Sequence, residues 1–361
     1  MIFNKITLKN FRNIKFAEIN PVDSVNVIYG ENAQGKTNLL EAIWLFTGAK
    51  SFRGSKDSEL IGFGEEKAKI YLDFFNENRE QSCVIDIEKV RKATLNGVEY
   101  NSSSAIAGKI LAVVFLPNDL NIIKDGPVFR RKFIDTAICQ LYPLYLDILK
   151  RYIRALDQRN KILKDIKYNP NLEEFIDDFE TEIASLGADL IGYRKRYIEE
   201  INKFLPEIYN GISGGKENIS VEYETLADDN KEIFKIALRN SRKLDILSQS
   251  TSIGPHRDDL DIKINGVSAR NFGSQGQKRS AALALKMSES EVISKITGIK
   301  PVILLDDVLS ELDTYRQNYI LNSIEGRQVF ITCCDKSNIG ELKNGKVFYV
   351  KNGEINEMKQ G

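Results

Sequence analysis

Through the first hundred residues, apolar positions alternate with polar ones or gather in short apolar runs, and both patterns predict strands. Ile2 to Leu8, Val25 to Tyr29, Lys69 to Phe75 and Ser82 to Glu88 are of this kind, and Asn96-Gly97 is a two-residue hairpin signal. After one more strand, Leu111 to Leu116, the period lengthens. From Arg130 to about Ile208 there is little turn chemistry, and Leu141, Leu144, Tyr145, Ile148, Leu149, Tyr152, Ile153 and Leu156 recur at helical spacing. The break at Tyr168-Asn169-Pro170-Asn171 predicts two long helical segments folded back antiparallel. At about 1.5 Å per residue, such an arm reaches a few tens of ångströms at most. Beyond a loop at Gly211 to Gly215, the pattern predicts a strand at Ile219 to Leu226 and a helix at Lys231 to Leu247. It continues with a hairpin turning at Asn265-Gly266, a helix from Gly276 to about Ile296 and a buried strand at Val302 to Leu305. A helix through Tyr315 to Ile324, a strand at Gln328 to Thr332 and a hairpin turning at Asn352-Gly353 follow.

One junction carries explicit chemistry. Gly30-Glu31-Asn32-Ala33-Gln34-Gly35-Lys36-Thr37 fits GxxxxGK[ST] at each fixed position, between the strand at Val25 to Tyr29 and a helix that begins at Lys36 and carries Asn38. The glycines let backbone N–H groups turn toward phosphates, Lys36 reaches the terminal phosphates, and the Thr37 hydroxyl is suited to a magnesium ion. The dipole of the following helix adds to the same site. Far along the chain, Val302-Ile303-Leu304-Leu305-Asp306-Asp307 reads as a buried parallel strand that delivers two carboxylates at its C-terminal edge. Asp306 is placed to share the magnesium shell with Thr37, and Asp307 to polarise an attacking water. Both motifs belong to one α/β sheet, so the helical stretch between them is an insertion. Ser274-Gln275-Gly276-Gln277 precedes a long helix, so Ser274 and the Gly276 N–H sit at a helix N-terminus suited to phosphate.

Composition narrows the rest. A chain of 361 residues, 42% hydrophobic, exceeds what one core usually serves and predicts two lobes. The longest apolar stretch, Ile110 to Leu116, is too short to span a bilayer, and the first residues alternate like a strand, so the expectation is a cytoplasmic protein with no membrane partner. Cys83, Cys139, Cys333 and Cys334 show no CxxC spacing and are read as buried small residues, neither disulfide framework nor zinc site. The 51 basic and 51 acidic residues cancel, so net charge gives no polyanion signal. Local segregation does: Lys150, Arg151, Arg154, Arg159, Lys161, Lys164 and Lys167 face only Asp157 and Asp165 over that stretch, and Glu173 to Glu182 is purely acidic in its charges. Salt-bridged helix faces and a nucleic-acid surface both account for it.

In order, the loop at 30–37, Ser274–Gln277, the strand at 302–307 and Ser310-Glu311-Leu312-Asp313 resemble the Walker A, signature, Walker B and D-loop motifs of the ABC superfamily of ATPases. Lys36 and Asp306 are 270 residues apart, a longer insertion than transporter ATPases carry and far shorter than the coiled coils of SMC proteins. Leu8-Lys9-Asn10-Phe11-Arg12-Asn13, Phe115 to Leu120, Gly126-Pro127 with Arg130 to Asp135, Gly254 to Leu260 and Leu304 to Asp313 carry a closer resemblance, end to end, to the RecF family of recombination mediators. That resemblance implies an α/β ABC-type ATPase head with a P-loop parallel sheet, an antiparallel β subdomain and an inserted, mainly helical second lobe with a short antiparallel arm. Lobe I is expected at 1–120 and 252–361, lobe II at 121–251. The implied cofactors are ATP and Mg2+, with Gly30, Glu31, Asn32, Ala33, Gln34, Gly35, Lys36, Thr37, Asn38, Arg12, Asn13, Ser274, Gly276 and Gln277 at the nucleotide, and Lys36 and Asp307 catalytic. The implied partners are a second copy joined head to tail around ATP, gapped or junction DNA, and RecR, with RecO and RecA in the pathway. Arg151, Arg154, Lys161 and Lys164, then Arg130 and Arg131, are the candidate DNA contacts. Asn118 stands where the family usually has a glutamate, and Cys333 where many relatives place a γ-phosphate-sensing histidine. The lone His256 lies elsewhere and is read as a packing or hydrogen-bonding residue. The rival classes are a transporter ATPase subunit, another SMC-like ATPase and an ATPase joined to a metal-dependent nuclease domain.

Overall fold

The computed structural model describes residues 1–215, 217–334 and 345–358. The chain divides into two compact units, one of Met1–Asp119, Asn210–Lys216 and Ala282–Gly361, the other of Leu120–Tyr209 and Glu217–Ala281. The first break falls between Asp119 and Leu120. The return falls at Ala282 and not at 252, because the strand Asp259–Ile264 pairs with Ile219–Glu224 and Val267–Ser268 in a sheet of its own. That sheet keeps company with the helices: Arg130 ion-pairs with Asp259. Ser274–Gln277 therefore belongs to the helical unit.

In the first unit, a mostly parallel sheet runs in the order Glu354–Met358, Lys346–Lys351, Val25–Tyr29, Val329–Cys333, Val302–Asp306, Ala112–Phe115. The strand Val302–Asp306 is buried at all five positions and Val329–Cys333 likewise, the continuous apolar reading of strands covered on both faces. A second sheet, antiparallel, runs Ile14–Ile19, Ile2–Phe11, Ala68–Asn76, Arg79–Ile87, Lys92–Leu95, Val98–Tyr100. The helix Lys36–Leu45 lies between the two, and its Leu39, Leu40, Ala42, Ile43, Trp44 and Leu45 join Phe3 and Phe11 of one sheet and Leu304 and Phe330 of the other in one core. A helix apolar on nearly all sides is what a position between two sheets requires.

In the second unit the sequence predicts one helical segment before the break at Tyr168, and the structure has two, Pro127–Leu141 and Pro143–Asp165. Pro143 has no N–H to continue the first helix and pushes Tyr142 to φ −133°, ψ 95°, while its own ring suits the first position of the next. The helix Ile176–Ser213 then runs back antiparallel: Arg194 meets Tyr145, Gly187 lies against Tyr152, and Arg159 pairs with Glu180. Three arginines are almost wholly buried here. Arg159 bridges Glu180 at 2.9 Å and Asp245 at 2.8 Å, and Arg194 holds Asp135 and the Pro255 carbonyl. Arg130 grips both oxygens of Asp259 and donates to the Ile122 and Asp125 carbonyls.

His256 completes this interior. Its Nε2 lies 3.0 Å from the Thr251 carbonyl, which only accepts, so the proton sits on Nε2 and Nδ1 takes the Tyr152 hydroxyl at 2.7 Å. It is the hydrogen-bonding residue the sequence suggests. Burial pushes the imidazole down to about 4. Below pH about 6.5 the unfolded chain binds a proton that the folded chain refuses, so stability is lost as pH falls toward 4. Between pH about 7.5 and 5 the loss is about 2 kcal/mol. Urea denaturation at the two pH values measures it, and an equal loss in His256→Gln would assign the pH dependence to other groups.

Candidate nucleotide-binding site

Parallel pairing brings the two motifs to one sheet edge. Val25–Tyr29 lies beside Val329–Cys333, which lies beside Val302–Asp306, with Thr332 opposite both Ile28 and Asp306. The first strand runs into the Gly30 loop, which turns through Ala33 at φ +63° and Gly35 at φ +119° before the helix starts at Lys36. Lys36 is buried, and its Nζ donates to the Gly30 carbonyl at 2.7 Å and the Glu31 carbonyl at 2.9 Å. The Thr37 hydroxyl donates to Asp306 Oδ1 at 2.8 Å. A cavity of about 280 Å³ opens over Gly35, Lys36, Thr37 and Asn38, walled by Arg53, Asp307 and Thr332.

The two carboxylates are held through a residue that motif spacing does not reveal. Thr332 Oγ1 donates to Asp306 Oδ1 at 2.9 Å and accepts the Asp307 N–H, also at 2.9 Å. Burial pushes the Asp306 carboxyl up, against the hydrogen bonds from Thr37 and Thr332 and the charge of Arg53 that pull it down. Asp307 sits at φ +54°, a left-handed conformation that aspartate tolerates better than most residues, and its Oδ1 takes the Ser310 hydroxyl at 3.1 Å.

Around this centre, some sequence candidates stand back and others come forward. Arg12 does not line the cavity: its guanidinium donates to both oxygens of the buried Glu41, to Ser55 and to the Glu59 carbonyl. It anchors the segment after the helix, and that segment supplies Arg53, which donates to Asn38 Oδ1 at 2.8 Å. Asn13 reaches the loop, giving Nδ2 to the Gln34 carbonyl and accepting from Asn38. Cys333 is buried at the end of its strand, but Cys334 is exposed and Cys139 only half-buried, so both depart from the reading of all four cysteines as buried; Cys334 is the one at the site. The Cys334 Sγ is 3.2 Å from Lys36 Nζ and 2.9 Å from Asn32 Oδ1. Asn118 is exposed on the short turn Pro117–Leu120.

In the second unit, Ser274 and Gln277 form a reciprocal cap: Ser274 N–H donates to Gln277 Oε1 at 2.7 Å and Gln277 N–H to Ser274 Oγ at 3.2 Å. Gln277 also donates to Glu217, which aims its amide, while Ser274 stays exposed. Arg151, Arg154, Lys161 and Lys164 are all exposed along Pro143–Asp165. Arg151 is 3.9 Å from Glu182, an exposed pair worth little. Arg159 and Arg130 are buried in ion pairs, and Arg131 gives Nη1 to the Asp258 carbonyl, so Arg130 is withdrawn from the candidate DNA contacts. The reason is the second unit's own core, which uses these guanidiniums as internal ties.

Comparison with known proteins gives this arrangement a family. The RecF/RecN/SMC N terminal domain model matches residues 2–356. The DNA replication and repair protein RecF of Agathobacter rectalis is 41% identical over 359 residues, 98% of this chain and 99% of that protein. The chain belongs to the RecF family. The RecF protein of Clostridium perfringens is 40% identical, over 98% of this chain and 99% of its own length. A solved structure of the recombination mediator RecF-ATPrS in the RecFOR pathway matches with a TM-score of 0.92 and 38% identity, covering 99% of this chain and 98% of that one. An SMC head bound to the C-winged helix domain of ScpA, 19% identical at a TM-score of 0.58, shares the fold alone. The α/β ABC-type head read from the motifs is thus the fold observed.

The thiols differ in a way that alkylation can read. Burial pushes Cys83 and Cys139 up to about 12, leaving little thiolate at neutral pH. In the native protein, iodoacetamide should label Cys334 and spare Cys83 and Cys139, and ATP should slow the Cys334 reaction. Peptide mass spectrometry before and after nucleotide checks both; Cys83 labelling at the Cys334 rate would contradict the burial.

Proposed function

We propose that this protein is an ATP-dependent DNA-binding protein of recombinational repair and replication-fork maintenance, a weak ATPase that closes into a dimer around nucleotide. The observation that carries the reading is the 2.8 Å contact between Thr37 and Asp306, the phosphate-loop hydroxyl and the acidic strand, with Lys36 buried beside it. The donor set is hard oxygen, one hydroxyl and one carboxylate, which fits magnesium held largely by phosphates and water. Thr37 and Asp306 would hold the ion, and its charge would offset that of the phosphates. No cluster of three or more His, Cys, Asp or Glu side chains among the described residues makes a metal cage of its own.

Lys36 binds the terminal phosphates once it leaves the loop carbonyls, and Arg53 and Asn38 line the same cavity. Asp307 polarises the water. Ser274, exposed and capped by Gln277, with the half-buried Gly276 and Gln277 beside it, meets the γ-phosphate held by another copy, which makes the dimer head to tail. The relatives' names and the RecFOR pathway of the solved structures support DNA, RecR and RecO as partners, with RecA loading downstream. No described helix is long and apolar enough to cross a membrane, in keeping with a cytoplasmic site of action.

Two experiments test this. In sedimentation, ATP and not ADP should drive dimer formation, and Asp307→Asn should keep the dimer while hydrolysis falls by about a hundredfold. Asparagine tolerates the left-handed backbone, so only the charge is lost. An equally strong dimer without nucleotide, or parental hydrolysis in Asp307→Asn, would sink the mechanism.

For DNA, Arg154→Glu with Lys161→Glu should weaken duplex binding and lower the salt slope by about two, while ATP binding stays intact. An unchanged slope across a salt titration moves the DNA surface elsewhere, to the neighbourhood of Arg131.

A further inference from the structure

Among the described residues, three Asn-Gly turns close hairpins, and one of them is built differently. Asn96-Gly97, Asn265-Gly266 and Asn352-Gly353 have φ of 51° and 81°, 51° and 79°, and 50° and 79°, the paired positive values of a type I′ turn. A Cβ added to Gly97 or Gly266 would meet nothing within 4 Å. At Gly353 it would stand 2.1 Å from the Asn13 carbonyl oxygen. The first two glycines answer to the turn alone, whereas Gly353 also answers to what it touches.

What it touches is the phosphate loop. Lys346–Lys351 pairs in parallel with Val25–Tyr29, and the ladder ends at Tyr349 opposite Tyr29. Val350 to Gly353 therefore overhang the loop that starts at Gly30, where a Cβ would lie 2.3 Å from the Val350 carbonyl oxygen. The two N–H groups of the turn both go to one residue: Asn352 donates to Gln34 Oε1 at 2.6 Å and Gly353 to the Gln34 carbonyl at 3.0 Å. Asn13 Nδ2 donates to the same carbonyl at 3.0 Å. In a trans peptide the C=O and the next N–H point opposite ways, so pinning the Gln34 carbonyl outward fixes the direction of the Gly35 N–H. That N–H is one of the donors a phosphate needs.

We infer that the turn Asn352-Gly353 is a positioning element for nucleotide binding, holding the Gln34–Gly35 peptide plane in its phosphate-accepting orientation before any ligand arrives. This rests on the ATP reading above and adds to it the last hairpin, which no nucleotide motif includes. Preorganisation of this kind acts on affinity, since the loop then loses less freedom on binding.

Gly353→Ala, Gly97→Ala and Gly266→Ala all place alanine at the same left-handed φ, so they share the same backbone penalty. Titration with a fluorescent ATP analogue should show Gly353→Ala weakened by about tenfold, with the other two variants binding as the parent does. Gly353→Ala binding like Gly97→Ala would overturn the inference; a parent that binds no ATP would overturn the ATP reading itself, a distinguishable result. A second measurement needs no variant. Coupling is reciprocal, so saturating ATP should slow amide exchange at Asn352 and Gly353 in the parent protein and leave Asn265-Gly266 unchanged. Exchange at Asn352-Gly353 that ignores ATP would overturn the inference even if Gly353→Ala failed to fold.

Discussion

The parallel pairing of Val25–Tyr29 with Val329–Cys333, and of that strand with Val302–Asp306, is the constraint on which the site depends. Parallel strands end on the same edge, so a loop near residue 35 and carboxylates near residue 306 meet without any contact in sequence. The middle strand does more than space them. Thr332 places one hydroxyl between the carboxylate of Asp306 and the backbone of Asp307, so both acidic residues take their geometry from a third. A left-handed aspartate costs about 1 kcal/mol, and the hydrogen bonds it makes to Thr332 and Ser310 offset a penalty of that size. A one-residue slip of that strand would separate Thr332 from Asp306 and reverse its face.

The second unit is held by a different chemistry. Arg130, Arg159 and Arg194 are buried with carboxylates and carbonyls around them, and removing one partner of such a pair costs about 3–5 kcal/mol. The string Gly254 to Leu260 supplies much of this: the Pro255 carbonyl to Arg194, the Asp258 carbonyl to Arg131 and the Asp259 carboxylate to Arg130. A string that carries the family resemblance in sequence is therefore also a set of internal ties. His256, neutral between Tyr152 and Thr251, belongs with them.

Short-range rules carried the strands, the Asn-Gly turns and the phosphate loop, since each is a pattern within a dozen residues. The Tyr142-Pro143 break shows the limit of periodicity: the apolar spacing runs on through it, and only the missing N–H stops the helix. Arg12 and Arg130 look like ligand-facing cations from sequence because nothing there reveals Glu41 or Asp259 as their partners. Arg53, Thr332 and Cys334 carry no motif and enter the site through long-range pairing and a loop. Family likeness proposes Ser274, Gly276 and Gln277 as signature residues, whereas the unit that holds them follows from a strand pairing between Asp259–Ile264 and Ile219–Glu224.

The position of the phosphate-loop strand has a consequence for how the chain is made. Val25–Tyr29 is flanked on one side by Val329–Cys333 and on the other by Lys346–Lys351, both from the last tenth of the sequence. At about 5–20 residues per second, the ribosome leaves that apolar strand without neighbours for on the order of tens of seconds. Antiparallel partners such as Ile2–Phe11 and Ala68–Asn76 emerge early and can pair at once. The nascent protein is thus a finished sheet carrying an unfinished one, with two hydrophobic edges open to aggregation until its final hairpin leaves the exit tunnel.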